Sequence, residues 1–114
     1  PAGPGAKWIL VSAAGARIAG SPGVTVASKP FTGEYRIDFG EPTSGKLVMA
    51  SVSERDNNGN NTIQAAPCGV TASATSDGYV NCQGAANVNV VATVIKNGNT
   101  GGVEDRSHYV VLMP

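Results

Sequence analysis

The segment Glu34–Phe39 constrains the fold most strongly, because charged and apolar residues alternate strictly along it. Tyr35, Ile37 and Phe39 fall on one side of an extended chain, and the charged residues between them fall on the other. A period of two is typical of a β-strand with one face on a core and the other in water. We therefore predict a strand here whose three apolar side chains are buried.

Other segments of the same character are separated by turn signals about every 8–12 residues. The pattern predicts about eight or nine short strands, the others covering 7–12, 16–19, 24–28, 46–52, 69–75, 79–82, 88–95 and 108–113. Two of them, 46–52 and 88–95, are apolar on both faces, which predicts cover on both faces. No segment has the pattern of a capped amphipathic helix. We predict one all-β domain over residues 7–114, an antiparallel β-sandwich or jelly-roll-like fold.

Two connections are predicted between these strands. Residues 29–33 contain Pro30 and Gly33, which favours a turn. Residues 55–67 have no usable periodicity and carry an Asn-rich run around Gly59, so we predict a long exposed loop.

Two classes of partner are disfavoured, one by the charge balance and one by the length of the apolar runs. Lys plus Arg and Asp plus Glu each number 8, so the formal net charge is zero, whereas nucleic-acid binding needs a basic surface. No apolar run approaches the roughly 18–20 residues that a membrane-spanning helix requires. We expect no nucleic-acid partner and no membrane insertion.

The residues for an enzyme active site are sparse, and we predict no catalytic or cofactor-binding residues. Asp105, Ser107 and His108 have the residue types of a hydrolase triad, but adjacent residues of an extended chain point to opposite faces, which separates the hydroxyl from the base. Glu34 and Asp38 share a strand face with Arg36, whose positive charge keeps both carboxylates ionised, whereas a glycosidase needs one carboxyl with a raised pKa.

Metal binding is also disfavoured. One His and two Cys lack the paired spacing of zinc modules. The run that starts at Asp56 resembles a calcium loop, but Gly59 is fourth instead of sixth and the twelfth residue is Pro67 instead of Glu. A looser calcium site using Asp56 and loop carbonyls stays open beside the default of a solvated loop.

Cys68 and Cys82 are separated by a weak predicted strand and a turn, an arrangement typical of cysteines on neighbouring strands. In an oxidising compartment a disulfide would close a loop of about 15 residues and stabilise the fold by about 3 kcal/mol. The alternative is a pair of buried free thiols. For an extracellular β-domain, the even cysteine count would favour the disulfide.

Residues 1–6 differ from the rest because none of their side chains can build a core. They resemble the last triplets of a Gly-X-Y tract, with Gly3 in place and the register lost at Ala6. The alternative is a flexible linker.

Several segments together resemble the C-terminal β-rich head modules of bacterial or phage-like collagen-like surface proteins. They are Trp8, Gly15, Gly23–Thr25, Thr32–Gly40, Val88–Ile95 and Asp105–Val111. The resemblance covers nearly all of residues 7–114 and implies trimerisation of a fibrous stalk. It favours the collagen-end interpretation of residues 1–6 and carries over no catalytic residues. The chain departs from the pattern in the Asn-rich loop and in the placement of its cysteines.

Two functions follow as hypotheses. The first is a non-enzymatic, extracellular trimerisation head that caps a collagen-like fibre and sets chain register, with interface candidates Trp8, Val91, Ile95 and Tyr109. The second is a tip module that binds a cell-surface glycan or receptor through residues 55–67 and the turn 97–105. Its candidate ligand residues are Asp56, Asn58 and Asn60, since polar loops on a rigid scaffold often carry binding groups.

Overall fold

The computed structural model describes residues 5–54, 60–69, 80–81 and 88–114, and these residues contain nine strands and no helix. The strands are β1 (Lys7–Val11), β2 (Arg17–Gly20), β3 (Thr25–Phe31), β4 (Glu34–Asp38), β5 (Val48–Val52), β6 (Asn61–Gly69), β7 (Val80–Asn81), β8 (Val90–Asn97) and β9 (His108–Leu112). The predicted all-β fold class is confirmed. Within these ranges no helix exists that is long and apolar enough to cross a membrane.

The strands form two sheets. The four-stranded sheet, here called sheet A, has the order β2-β1-β9-β5 and is antiparallel throughout. The five-stranded sheet, here called sheet B, has the order β3-β4-β8-β6-β7, and only β7 runs parallel to its neighbour. Lys7 pairs with Leu112, so the first and last strands lie side by side in sheet A. This arrangement is consistent with a β-sandwich.

The core lies between the sheets and is built from alternate residues of the inner strands. Tyr35, Ile37 and Phe39 are fully buried, as the alternation in β4 predicts. The charged residues between them are half-buried on the opposite face of sheet B. The other large buried apolar side chains of the core are Ile9, Val11, Val24, Val91, Ile95, Val110 and Leu112.

The placement of Val91 and Ile95 corrects their assignment to a contact between chains. Both side chains are fully buried in the core between the two sheets. Strand β8 is central in sheet B and paired on both edges, and Val90 and Ala92 are buried on the face opposite to Val91. On a strand that is apolar on both faces, a residue can therefore belong to the core of its own chain, as Val91 and Ile95 do.

Strand β5, predicted at 46–52 to be covered on both faces, has only its inner face covered within the single chain. It is an edge strand of sheet A, paired only with β9 among the described strands. Val48 and Ala50 pack against the core, whereas Met49 is exposed. The continuous apolar run therefore reflects a core face and an exposed apolar face.

The loop predicted at 55–67 is wrong over its second part, because Asn61–Gly69 forms β6 and pairs with β8. Ile63 and Ala65 pack against the core, and Thr62 and Gln64 point outward. The period of two is present but is carried by only two apolar side chains among polar and small ones. Similarly, residues 29–31 extend β3 up to the Thr32–Gly33 turn.

The predictions for residues 70–79 and 82–87 lie outside the described residues, as do residues 1–4.

Gly33 is the turn residue on which the β3–β4 hairpin and the segment before β9 meet. Its φ of 73° is in the left-handed region. Its N–H donates to the Asp105 carboxylate at 2.7 Å, and its carbonyl accepts from the Ile95 N–H at 2.8 Å. A Cβ at this position would lie 2.8 Å from the Ile95 carbonyl oxygen and 2.9 Å from the Glu104 nitrogen.

We predict that Gly33→Ala destabilises the fold more than Gly23→Ala does. Gly23 also has a positive φ, of 83°, but has open space around it, so its substitution costs only the backbone strain of about 1–2 kcal/mol. Gly33→Ala adds a backbone clash to the same strain. Urea unfolding of both variants measures the difference, and equal losses would contradict the tight packing at Gly33.

Candidate functional site

The residues of the apparent triad are held in separate contacts. The Asp105 carboxylate accepts from the Gly33 N–H and lies 2.9 Å from the Lys29 ammonium. His108 Nδ1 lies 3.0 Å from the Arg106 carbonyl oxygen, and His108 Nε2 lies 3.2 Å from the Thr93 hydroxyl. Because a carbonyl only accepts, Nδ1 carries the proton and Nε2 accepts from Thr93. Both ring nitrogens of His108 are therefore bonded to groups other than the Asp105 carboxylate.

His108 is a fully buried core residue, in contact with the ring of Tyr35. The ring centroids are 4.5 Å apart and tilted by 58°. Burial lowers the pKa of His108 below its usual 6.5, and the hydrogen bond to the Arg106 carbonyl opposes this shift only in part. The imidazole is therefore a neutral structural group that connects β9 to β8 and to the segment before β9.

The charged face of β4 makes local ion pairs and turn contacts. Arg36 Nη2 lies 3.6 Å from Glu34 Oε1. The Asp38 carboxylate accepts from the Gly40 N–H at 2.7 Å, just beyond the strand. Glu34 therefore pairs with Arg36 within the strand, whereas Asp38 accepts a hydrogen bond in the turn that follows it.

Residues 55–59 of the proposed ligand loop lie outside the described residues. Asp56 and Asn58 belong to that part, whereas Asn60 is exposed and its carbonyl accepts from the Gly98 N–H at 2.6 Å. In the described ranges, no three His, Cys, Asp or Glu side chains converge in a way that could hold a metal ion.

Cys68 is disulfide-bonded and buried, in a small cluster with Val90 and Ala92 on the outer face of sheet B. Cys82 lies outside the described residues, so its pairing with Cys68 stays a prediction.

Among the described residues, several exposed apolar side chains lie together on the outer face of sheet A. Trp8 pairs with Val111, and Val111 pairs with Met49, so these residues form one row across three strands. Leu10 and Tyr109 form the neighbouring row. The exposed fractions are 39% for Trp8, 55% for Met49 and 40% for Tyr109, which are large values for such side chains.

Leu47 and Met113 extend this surface beyond the strand ends, where the Met113 N–H donates to the Leu47 carbonyl at 2.8 Å. The apolar face of sheet A thus consists of Trp8, Leu10, Leu47, Met49, Tyr109, Val111 and Met113. The other outward residues in its two rows are Ala19 and Ser51, so both rows are free of charge. Contiguous exposed apolar patches are typical of interaction surfaces.

The sequence placed Trp8 and Tyr109 at an interface, and the structure brings both to this face. The sequence does not predict that Leu10, Leu47, Met49, Val111 and Met113 lie on the same face. The sequence of β9 indicates a second apolar face, because Tyr109, Val111 and Met113 are apolar or aromatic like the buried Val110 and Leu112 between them.

We predict that folding stability falls as the pH drops below about 6.5 because of His108. The unfolded chain takes up a proton near the usual pKa, whereas the buried ring in the folded chain resists it. Stability is therefore full above 6.5 and is lost as the pH falls through the lowered folded pKa. Urea unfolding between about pH 7.5 and 5 should show this loss in the wild type and a smaller loss in His108→Gln. Equal pH slopes in the two proteins would contradict the assignment.

The described surface thus carries a polar β4 face on sheet B and an uncharged apolar face on sheet A. No protein-family model, no curated protein and no solved structure matches the chain. Its function is therefore inferred from the geometry of the described residues.

Proposed function

We propose that this domain is a non-enzymatic head that assembles into homotrimers at the end of an extracellular, collagen-like fibrous protein and sets the register of its chains. The observation that carries the proposal is the uncharged apolar face of sheet A. Burying this face against identical chains removes its surface from water, at about 25 cal/mol per Å². Three copies whose sheet A faces point toward a common axis would bury this surface.

The path of the chain into sheet A supports the same assembly. Strand β1 begins at Lys7 and lies between β2 and β9, so the preceding Pro/Gly residues lead directly into the sheet with the apolar face. Leu112 pairs with Lys7, which places Met113 at the end where the chain enters. A trimer packed through this face would gather three N-termini near its axis, as a triple helix requires.

The start of β1 is fixed by charge. The Lys7 ammonium lies 2.7 Å from the Glu41 carboxylate, and Lys46 binds the other oxygen of the same group. Hydrogen bonds from Lys46 and Lys7 lower the pKa of Glu41 to about 2. Glu41 therefore holds the entry strand in place over the whole range of physiological pH.

We predict that the domain is a trimer at tens of micromolar and that a double variant, Met49→Glu with Tyr109→Glu, is a folded monomer. Six carboxylates would meet at the threefold interface, and each would lose its water. Both side chains point away from the core, so the fold of the single chain should persist.

Sedimentation equilibrium gives the mass, and circular dichroism and thermal unfolding check the fold. Val88→Glu is the matched control, because Val88 is also exposed and apolar but lies outside the apolar face of sheet A. A wild-type monomer at these concentrations sinks the proposal, as does a double variant that stays trimeric.

Register setting makes a separate prediction, tested on this domain with a Gly-Pro-Pro repeat placed before Pro1. With the wild-type head, the triple helix should refold at a rate independent of concentration, because tethered chains meet at an effective concentration in the millimolar range. With the double variant, refolding should slow and become concentration-dependent. Identical kinetics in the two proteins would rule out the head as the nucleus of the stalk.

A further inference from the structure

The outer face of sheet B contains a groove of about 500 Å³ across β4, β8 and β6, on the opposite side of sheet B from the core. Ala66 and Ala92 are opposite each other on paired strands, and Arg36 pairs with Ala92 on the other side. The two alanines form a low floor between longer side chains. The groove is therefore built by the register of three strands that are far apart in sequence.

The rim of the groove combines charged, amide and apolar groups. Glu34 and Gln64 flank Val94 in the row next to the two alanines. Lys96 and Val103 close one end, where the backbones of Lys96 and Val103 form a bridge. The ammonium of Lys96 is exposed and makes no ion pair with any of the described residues. With one carboxylate and two cations, the groove has a formal charge of +1.

These groups indicate the chemistry of the occupant. The Gln64 amide both donates and accepts, Glu34 accepts and Arg36 donates, which together match the hydroxyl groups of a sugar. Lys96 lies four residues from Ala92 along β8, about 13 Å from the level of Arg36, a span suited to two sugar units. The volume is within the range of about 300–1,000 Å³ that is usual for small-ligand sites.

Phe31 adds an apolar ring beside this row. It pairs with Glu34 at the last position of the β3–β4 hairpin, so the two side chains share the outer face of sheet B. Its side chain is 63% exposed. A flat ring next to hydrogen-bonding groups offers a surface on which the apolar face of a sugar ring can pack.

Other occupants fit less well. Strands β4, β8 and β6 each have a neighbour on both sides, so the groove has no free strand edge to which a peptide could add. A single net positive charge is too little for a nucleic acid, whose binding depends on several phosphate contacts.

We propose that this groove binds a short acidic saccharide, with the sugar carboxylate at Lys96 and the hydroxyls at Glu34, Gln64 and Arg36. The site lies on the sheet opposite to the apolar face of sheet A and uses none of its residues. The binding of one saccharide per domain is therefore independent of trimerisation.

The probes are a hexuronic-acid-containing disaccharide and the same disaccharide with its carboxyl group reduced to an alcohol. Titrations followed by amide chemical shifts should show saturable changes around Ala66 and Ala92, with the acidic probe binding at least about fivefold more tightly. Lys96→Ala should bring the two affinities together. Ala66→Leu fills the floor and should abolish binding of both, whereas Ala27→Leu makes the same exchange at an exposed position away from the groove and should change neither.

The monomeric Met49→Glu, Tyr109→Glu double variant separates the two proposals, since its affinity per domain should equal that of the wild type. The saccharide site is overturned if neither probe binds at about 10 mM, if Ala66→Leu binds like Ala27→Leu in a protein that remains folded, or if the shift changes cluster away from sheet B. Equal affinity of wild type for both probes overturns the role of the carboxylate.

Discussion

The contact between Tyr35 and His108 connects the two sheets, and the rest of the fold depends on it. Tyr35 comes from β4 of sheet B and His108 from β9 of sheet A, and both are fully buried. The Tyr35 hydroxyl donates to the Ala13 carbonyl at 2.7 Å, in the turn between β1 and β2. The two imidazole nitrogens are bonded to Arg106 and Thr93. Because a buried polar group without a partner costs about 1–3 kcal/mol, these bonds permit only one register of the strands that carry them.

Fixing the inner faces also fixes the outer ones, because the side-chain period of a strand is two. In sheet A, burial of Val110 and Leu112 turns Tyr109 and Val111 outward. In sheet B, burial of Tyr35 and Ile37 turns the charged residues of β4 outward. Sheet A therefore has an apolar outer face, whereas the outer face of sheet B is charged along β4. This difference in surface chemistry is the physical basis for assigning self-association to the first and ligand binding to the second.

The sequence predicts those parts of the fold in which one strand face is clearly apolar and the other clearly polar. Strand β4 meets this condition, and its buried face is confirmed. Strand β6 does not, because only Ile63 and Ala65 contact the core among polar and small neighbours, so its sequence predicts a loop. Strand β8 is apolar on both faces, so its sequence cannot distinguish core residues such as Val91 from residues at a contact between chains. The sequence does not predict the groove, because the groove depends on Ala66 lying opposite Ala92, and tertiary packing determines that register.

The separation of the two faces has a consequence for affinity. A shallow groove with one cation that makes no ion pair to the described residues, and with a few hydrogen-bonding groups, would bind a saccharide weakly, because each exposed contact adds little. In the proposed trimer, three grooves would bind a surface with many saccharides much more tightly, since the second and third contacts become intramolecular. This gain requires that trimerisation leave the grooves open, and association through sheet A does so because sheet B faces the other way. A head that assembled through sheet B would cover its own grooves. Saccharide binding on sheet B therefore requires that the chains associate through sheet A.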